Sequence, residues 1–250
     1  MTGYRMYDEF AHLWPQISAP EEYAEEAQFW LNVLFRLLDR ERGEFKPSVL
    51  ELGVGGGNNL SHIRPFVRAT AVDLSPNMLA ISRKLNPSIE HIVGDMRSVR
   101  LGRKFDAVFI HDAIAYMVTE DDLRRALETA RVHLDPGGVF ITGPDWMGGV
   151  SCFPDLTTKR GPAGRLSYAE YAHDPDPGDT EIEVIFTYFL PQPDGAIAVE
   201  VDRHSHGLFP LATWLRLLGE AGFETGVEAY PSGSPVCLIT GIARQELTPS

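Results

Sequence analysis

Short apolar runs alternate with amphipathic stretches along most of this chain, and the alternation predicts an α/β fold. The runs typical of buried strands lie at 48–51, 69–72, 89–93, 105–112 and 139–142. The stretches with helical periodicity lie at 21–42, 58–65, 75–85, 120–134 and 210–221. Strands without polar alternation are typical of a parallel sheet that helices cover on both faces. The pattern therefore predicts a doubly wound, mostly parallel sheet.

The N-terminal stretch departs from this alternation. It carries four aromatic residues at helical spacing, namely Tyr4, Tyr7, Phe10 and Trp14. We expect them to form one stripe of a helix that is broken by the prolines of 15–20. The stripe has two interpretations: it packs on the body of the domain, or it forms a lid over a bound ligand.

A second departure begins after the fifth strand, at residues 145–206, which are rich in turn-forming residues. Within it, 182–190 and 197–204 have the pattern of two strands joined by the turn signal Pro193-Asp194-Gly195. We predict an inserted antiparallel ribbon above the carboxyl ends of the parallel strands, where ligands bind in such sheets. The predicted organisation is a helical lid and helix at 1–44, a cofactor-binding core at 45–144 and 207–244, and a substrate cap at 145–206.

A glycine-rich turn follows the first strand and carries Glu51, Gly53, Gly55 and Gly57. Glycines let a backbone turn sharply and let a ligand come close, and the amides at the start of the next helix attract an anionic group. The dinucleotide fingerprint would need its third glycine at Asn58, and the lysine of a phosphate-binding loop does not follow. An acidic residue here is a poor neighbour for a pyrophosphate and suits a ligand that carries an ammonium or a sulfonium.

Polar side chains also end the next three strands. Asp73 lies about twenty residues past Glu51 and can accept both hydroxyl hydrogens of a ribose. Asp95 follows the third strand, where it can accept from an adenine amine. His111 ends the fourth strand, and histidine is the side chain best suited to proton transfer near neutral pH. These positions indicate a nucleoside cofactor without identifying it.

Taken in order, these motifs resemble those of the class I S-adenosylmethionine-dependent methyltransferases. The motifs are Glu51-x-Gly53-x-Gly55-x-Gly57, Asp73, Gly94-Asp95-Met96, Phe105-Asp106 and Leu134-x-Pro136-Gly137-Gly138. The resemblance spans residues 45–143 and 207–244. It implies a Rossmann-like α/β sheet of seven strands, in which the last strand runs antiparallel between strands five and six.

The resemblance also implies a cofactor, S-adenosyl-L-methionine, with S-adenosyl-L-homocysteine as its product. Glu51 would hold the ammonium of the methionine portion, and Asp73 would bind the ribose. Gly53 and Gly55 would let the cofactor come close to the backbone. The other implied cofactor contacts are Tyr7 from the lid, Leu74 and Met96 on the adenine faces, Asp95 at the adenine amine, and His111 in the wall.

A more distant resemblance, to the deoxyaminosugar N-methyltransferases, is carried by Tyr7-Asp8, Gly94-Asp95-Met96-Arg97 and the inserted ribbon. Those enzymes have a histidine in the loop after strand four, where this chain has Tyr116. With a pKa of about 10, a tyrosine is a poor base unless perturbed, so Tyr116 either shapes the pocket or hydrogen-bonds the nucleophile. His111 and Tyr116 are the candidate catalytic residues. The candidate substrate contacts are Tyr168, Arg203 and His204.

We therefore predict an enzyme that moves a methyl group to N or O of a small molecule by in-line displacement, with alignment and removal of a proton as the tasks of the protein. His111 either performs that proton transfer or belongs to the cofactor wall. The alternative enzyme class is an NAD-dependent oxidoreductase, which Asn58 and Glu51 disfavour. The non-enzyme alternative is a module that binds the cofactor without catalysis.

Composition narrows the partners. The 250 residues include 22 Lys and Arg against 35 Asp and Glu, a net charge of −13, which argues against a nucleic-acid partner. Cys152 and Cys237 show neither a disulfide framework nor the spacing of metal ligands. His204 and His206 share a face if their strand is extended, but a third ligand is lacking, so we expect no metal site. The chain lacks an apolar run of about 18 residues and an N-terminal apolar signal core, so we expect a cytoplasmic protein without a membrane span. The sequence does not decide the oligomeric state, and a homodimer is one option.

Overall fold

Two β-sheets organise the structure, a computed structural model that describes residues 3–43, 45–160 and 166–245. The strands of the first sheet are β1 (Ser48–Leu52), β2 (Arg68–Asp73), β3 (Glu90–Val93), β4 (Phe105–Ile110), β5 (Leu134–Thr142), β10 (Phe223–Ala229) and β11 (Cys237–Ala243). The strands of the second sheet are β6 (Asp155–Arg160), β7 (Ser167–His173), β8 (Glu181–Pro191) and β9 (Ile197–Gly207). We call the first the central sheet and the second the cap sheet.

The central sheet has the predicted topology. Its seven strands lie in the order β10-β11-β5-β4-β1-β2-β3. The neighbours among β1 to β5 are parallel. β11 runs antiparallel to both β5 and β10, between which it lies. The doubly wound, mostly parallel sheet with an antiparallel last strand is therefore confirmed.

Helices cover both faces of the central sheet. They are α2 (Ala24–Leu37), α3 (Asn58–Ile63), α4 (Pro76–Leu85), α5 (Glu120–Val132) and α6 (Leu211–Glu220). The short helix α1 (Trp14–Ile17) instead packs in the cluster of the cap sheet. From α2, Trp30 and Leu34 pack against Phe109 on one face, while Leu127 of α5 and Trp214 of α6 lie in the core on the other. Both faces of the strands are thus buried, which is why these strands are continuous apolar runs in the sequence. Ser75 caps the N-terminus of α4, since its Oγ accepts from the Met78 amide.

The N-terminal stretch differs from the predicted helix. It consists of two 3₁₀ turns, Arg5–Tyr7 and Ala11–Leu13, followed by α1, which contains Pro15. Proline is tolerated in the first turn of a helix because the amide it lacks would have no intrahelical partner there. The 21–42 helix is also shorter than predicted at both ends, since a 3₁₀ turn at Pro20–Tyr23 precedes α2 and α2 ends at Leu37.

The inserted region is larger than the predicted ribbon. The two predicted strands are β8 and β9, and β6 and β7 extend them to four antiparallel strands. The sequence pattern does not predict β6, because this strand is almost entirely polar and exposed. The inner face of the cap sheet packs its apolar side chains against the N-terminal stretch, with Phe10 and Tyr188 in one buried cluster. Among the described residues, no helix has the length and apolarity that a membrane crossing requires.

Candidate functional site

A cavity of about 640 Å³ separates the two sheets. Its floor is the carboxyl edge of the central sheet, with the turn after β1 and the ends of β2 and β4. Its roof is the inner face of the cap sheet, and the N-terminal stretch closes one side through Tyr7 and Trp14. The cavity lies at the strand edge where the sequence predicts ligand binding.

The glycines after β1 are required by the backbone and by close neighbours. Gly53, Gly55 and Gly57 have φ values of +76°, +54° and +77°, which favour glycine. A β-carbon on Gly53 would lie 2.4 Å from the Ala113 β-carbon, and one on Gly56 would lie 2.4 Å from the Trp14 indole nitrogen. The bare turn therefore lets the segment after β4 and the N-terminal stretch close onto the floor of the cavity.

Glu51 is the buried carboxyl at the end of β1. It is 3% exposed, it lines the cavity, and its Oε2 atom has no hydrogen-bond partner among the described residues. Burial raises the pKa of Glu51 to about 7, although the charge of His111 acts in the opposite direction. A bound ammonium would supply the missing partner and stabilise the ionised form. An orphaned carboxyl oxygen in this position fits the charged end of S-adenosylmethionine.

Asp73 both organises the turn and faces the cavity. One carboxyl oxygen accepts from the Gly55 amide and the other from the Ser75 amide, each at 2.8 Å. Burial raises the pKa of Asp73, while these amides lower it. Because each carboxylate oxygen accepts more than one hydrogen bond, both keep capacity for ribose hydroxyls. Holding the turn is therefore compatible with the ribose binding that the sequence predicts for Asp73.

The predicted adenine contacts lie together on the cavity wall. Asp95, Met96 and Leu74 all line it, and the Leu74 side chain is exposed towards solvent. Asp95 is already held by Arg97, whose Nη2 lies 2.7 Å from Asp95 Oδ2, and this hydrogen bonding lowers the pKa of Asp95. Arg97 also donates to Asp122 at 3.0 Å. Arg97 thus forms ion pairs with both Asp95 and Asp122.

His111 is enclosed between two carboxylates. Its Nε2 lies 2.8 Å from Glu26 Oε2 and its Nδ1 lies 2.7 Å from Asp112 Oδ1. Burial alone would lower the pKa of His111, but these carboxylates outweigh it and raise the pKa well above its ordinary value. Both ring nitrogens therefore face carboxylates, which favour the protonated form of the ring. This arrangement gives no support to the proton-transfer role expected of His111, whereas its place in the cavity lining agrees with the other expectation.

Tyr116 belongs to a continuous line of hydrogen bonds. Its hydroxyl lies 2.6 Å from the Tyr7 hydroxyl and 2.7 Å from His204 Nδ1. The other ring nitrogen of His204 lies 2.9 Å from Asp202 Oδ2, which also accepts from the Met6 amide at 2.7 Å. His204 is not among the cavity-lining residues and contacts the cavity through Tyr116. Sequence reasoning missed Asp202, although the two-residue spacing of Asp202, His204 and His206 on one strand was a signal.

His206 follows on the same face of β9, as the sequence predicts for His204 and His206. It lines the cavity, it is 5% exposed, and neither ring nitrogen has a hydrogen-bond partner among the described residues. Burial, with a smaller effect from His204, lowers the pKa of His206 to about 3. A neutral imidazole with two unsatisfied nitrogens is suited to hydrogen bonding with a polar ligand.

Carboxyl groups collect on the side of the cavity that faces the cap sheet. Tyr168, a predicted substrate contact, lines the cavity and donates from its hydroxyl to Glu170 at 2.9 Å. Asp112 and Asp145 line the same region. Asp145 is open to the cavity but enclosed by protein beyond it, and burial, followed by the charge of Asp112, raises its pKa well above the ordinary value. Sequence reasoning missed Asp145 and Glu170 because both lie in the insertion.

Arg203 does not reach this cavity. It is exposed on the opposite face of β9, and its guanidinium donates to Glu183 at 2.8 Å. The geometry therefore gives no support to its expected role in substrate binding, because alternate residues of a strand point to opposite faces. Within the described part of the chain, no group of three or more His, Cys, Asp or Glu side chains is arranged to hold a metal ion.

Comparison with known proteins identifies the family. Residues 49–138 match the family described as methyltransferase domain. The chain is 31% identical over 223 residues to dTDP-3-amino-3,4,6-trideoxy-alpha-D-glucopyranose N,N-dimethyltransferase of Streptomyces venezuelae, covering 85% of this chain and 89% of that relative. The chain belongs to the class I S-adenosylmethionine-dependent methyltransferases.

Two further similarities agree with this family. The chain is 32% identical over 205 residues to dTDP-3-amino-3,6-dideoxy-alpha-D-glucopyranose N,N-dimethyltransferase of Streptomyces fradiae, covering 78% of this chain and 76% of that relative. The crystal structure of Streptomyces venezuelae DesVI superposes with a TM-score of 0.74 at 27% identity, covering 89% of this chain and 92% of that one. This methyltransferase therefore uses S-adenosylmethionine, and the NAD-dependent oxidoreductase and the inactive module are set aside.

Proposed function

We propose that this methyltransferase transfers the methyl group to the nitrogen of an amino sugar carried on a nucleotide. The two curated relatives are named for N,N-dimethylation of dTDP-linked amino sugars. The observation that carries the proposal is the collection of carboxyl groups on the cap side of the cavity, formed by Asp112, Asp145 and Glu170. An amino sugar enters as an ammonium, which such carboxyl groups attract.

In this proposal the two sides of the cavity have separate tasks. Glu51 and Asp73 hold the cofactor at the floor, and S-adenosylmethionine supplies a methyl group activated by the positive charge on sulfur. The cap sheet and the N-terminal stretch orient the acceptor, since Tyr168 and Tyr7 line the cavity from opposite elements. Holding both reactants in a closed cavity converts the displacement into an effectively intramolecular step.

The test is a methyl-transfer assay with matched acceptors, followed by mass spectrometry. The acceptors are dTDP-3-amino-3,4,6-trideoxyglucose, a dTDP-sugar with only hydroxyl groups, and the free amino sugar. We expect the first to gain one and then two methyl groups, and the hydroxyl sugar to gain none. Methylation of the hydroxyl sugar, or of neither nucleotide sugar, would contradict N-methylation of a sugar nucleotide. A reaction of the free amino sugar alone would remove the nucleotide from the proposal.

The predicted cytoplasmic location and the homodimer option stay predictions.

A further inference from the structure

We propose that Tyr116, His204 and Asp202 form a proton relay that deprotonates the acceptor amine before it attacks the methyl group. The inference rests on the proposed function, because it requires an amine acceptor that enters as an ammonium. An ammonium has no lone pair, so one proton must leave before nitrogen can act as the nucleophile. The relay assigns that proton a route through the chain's own residues.

The hydrogen bonds fix the direction of the relay. Although burial opposes the charged form of Asp202, hydrogen bonds from His204 and the Met6 amide lower its pKa, so this carboxylate is an acceptor. His204 must therefore carry its hydrogen on Nε2, 2.9 Å from Asp202, and a neutral ring leaves Nδ1 as an acceptor. The Tyr116 hydroxyl, 2.7 Å from that nitrogen, then donates to it. This leaves the lone pairs of the Tyr116 oxygen for Tyr7 and for a ligand in the cavity.

The proton moves through the relay in two coupled transfers. An N–H bond of the acceptor ammonium breaks, and its proton forms an O–H bond at Tyr116. In the same step the original O–H bond of Tyr116 breaks, and that proton forms an N–H bond at His204 Nδ1. The acceptor is left as a neutral amine with a lone pair, and His204 becomes an imidazolium that Asp202 stabilises. The proton returns through Tyr116 to water once the product has left the cavity.

Neighbouring groups are less suited to this task. Both ring nitrogens of His111 are occupied by the carboxylates of Glu26 and Asp112, and the low pKa of His206 makes it a very weak base. Burial, followed by Tyr7, raises the pKa of Tyr116 well above its ordinary value, so a lone tyrosinate is disfavoured. Tyr116 is effective only because it passes its own proton to His204. The contact joins residues that are 88 positions apart, on the segment after β4 and on β9.

The surroundings of His204 contain few other charges. Tyr4 stacks on its ring with centroids 4.0 Å apart, and Phe186 of β8 meets it edge-on at 4.5 Å. The titratable or charged groups that face the relay are Tyr4, Tyr7, Arg5 and Glu9 from the N-terminal stretch, Tyr116 from the segment after β4, Asp145 from the segment after β5, Tyr188 from β8, and Asp202 and His206 from β9 itself. A change in the pH dependence of activity on replacing His204 is therefore attributable to the relay itself.

The test compares variants of the relay with matched residues on the outer face of the cap sheet. Tyr116→Phe and His204→Gln remove the relay. The matched variants are Tyr171→Phe, which changes an exposed tyrosine, and His173→Gln, which changes a histidine that also hydrogen-bonds a carboxylate, that of Glu183 at 2.8 Å. The measurement is kcat/KM as a function of pH with dTDP-3-amino-3,4,6-trideoxyglucose. At pH 7 we expect a loss of about 10²–10⁴-fold in each relay variant, the range for one proton-transfer catalyst, and no loss in the matched variants.

High pH distinguishes a relay from a structural role. Once the amine is deprotonated in solution, the relay is no longer needed, so the loss should shrink to less than about tenfold above the amine's own pKa. A loss of equal size at every pH, or no loss at pH 7, would overturn the relay. If His204→Gln does not fold, Tyr116→Phe still decides, because it removes only a hydroxyl.

A spectroscopic measurement checks the resting state independently of activity. Nitrogen-15 spectra of histidine-labelled protein should show His204 with a hydrogen on Nε2 and none on Nδ1. A hydrogen on Nδ1 would prevent donation from Tyr116 and would overturn the proposal. If the wild type methylates no amine at all, the proposed function fails; if the wild type is active and the relay variants match it, only the relay fails.

Discussion

The floor and the roof of the cavity are built in different ways. At the floor, the turn after β1 and the ends of the parallel strands present backbone amides and single carboxylates, held by a central sheet whose inner strands are buried on both faces. At the roof, side chains from the N-terminal stretch, the segment after β4 and the cap sheet meet through hydrogen bonds and ring contacts. The cap sheet is buried on its inner face only, and Leu156, Ile197 and Val199 on its outer face are more than half exposed.

This difference matches the division between a constant and a variable reactant. In the proposed function the cofactor meets the backbone cradle, which tolerates little change because a side chain on Gly53 would collide with Ala113. In the same proposal the acceptor meets side chains on a separate sheet, which substitution can alter without disturbing the central sheet. Changes at the floor should therefore act on cofactor affinity, and changes at the roof should act on the acceptor.

The largest effect is expected for Asp73→Ala. The variant loses the two charge-assisted bonds to the ribose, each worth about 1.5–3 kcal/mol, so affinity for S-adenosylhomocysteine should fall by roughly 100-fold or more. Asp106→Ala is a matched control, because Asp106 also accepts from a backbone amide, Ser48 at 2.7 Å, but lies outside the cavity. Calorimetric titration measures both. Unchanged affinity in Asp73→Ala would remove this carboxylate from the cofactor site.

Phe10→Ala should loosen the roof. Phe10 is 6% exposed, and its ring centroid lies 4.9 Å from that of Tyr188 in the cap sheet. Removing a buried ring should cost about 3 kcal/mol, which we expect to appear as faster proteolysis of the N-terminal stretch and a higher KM for the acceptor. Phe189→Ala on the exposed outer face is the control and should change stability by no more than about 0.5 kcal/mol. Equal effects of Phe10→Ala and Phe189→Ala would show that the buried contact between Phe10 and Tyr188 does not hold the roof in place.

The pH dependence of cofactor binding tests the floor again. Burial raises the pKa of Glu51 to about 7, so below pH 7 this carboxyl is protonated in the empty site. An ammonium binds the ionised form, and affinity for S-adenosylhomocysteine should therefore fall by up to about tenfold for each pH unit below 7. Glu51→Gln should bind more weakly at pH 8 and lose this dependence. A wild-type affinity that is flat between pH 5.5 and 8 would show that Glu51 does not meet the ammonium.

The smallest effect on the single chain is expected for Val199→Lys. Val199 is 55% exposed on the apolar outer face of the cap sheet, so the substitution should change stability by no more than about 0.5 kcal/mol. If the chain forms a homodimer through this face, the new charge should shift it towards the monomer, because exposed apolar patches are typical of interaction sites. Light scattering measures the mass. A dimer that Val199→Lys leaves intact would place the interface elsewhere.

Much of the floor could be predicted because it depends on local features of the chain. Continuous apolar runs indicated the parallel strands, the left-handed turn required glycines, and Asp73 ends its strand just before a capped helix. Each of these features lies within a few residues of its structural consequence. The roles of Glu51, Asp73 and Asp95 towards the cofactor stay predictions, although the structure brings all three to one cavity.

The roof was decided only by tertiary structure. β6 has no apolar pattern that announces a strand, and it is specified by pairing with β7. The sequence neighbours of His111 do not reveal Glu26, 85 positions earlier, whose carboxylate lies 2.8 Å from the ring and raises the pKa of His111. Short-range patterns in the sequence determined the central sheet and the glycine cradle, and the resemblance of its motifs to a known family implied the cofactor. The partners of Tyr116 and His111 depended on the packing of distant segments, because protonation states and hydrogen bonds are set by whatever lies nearest in space.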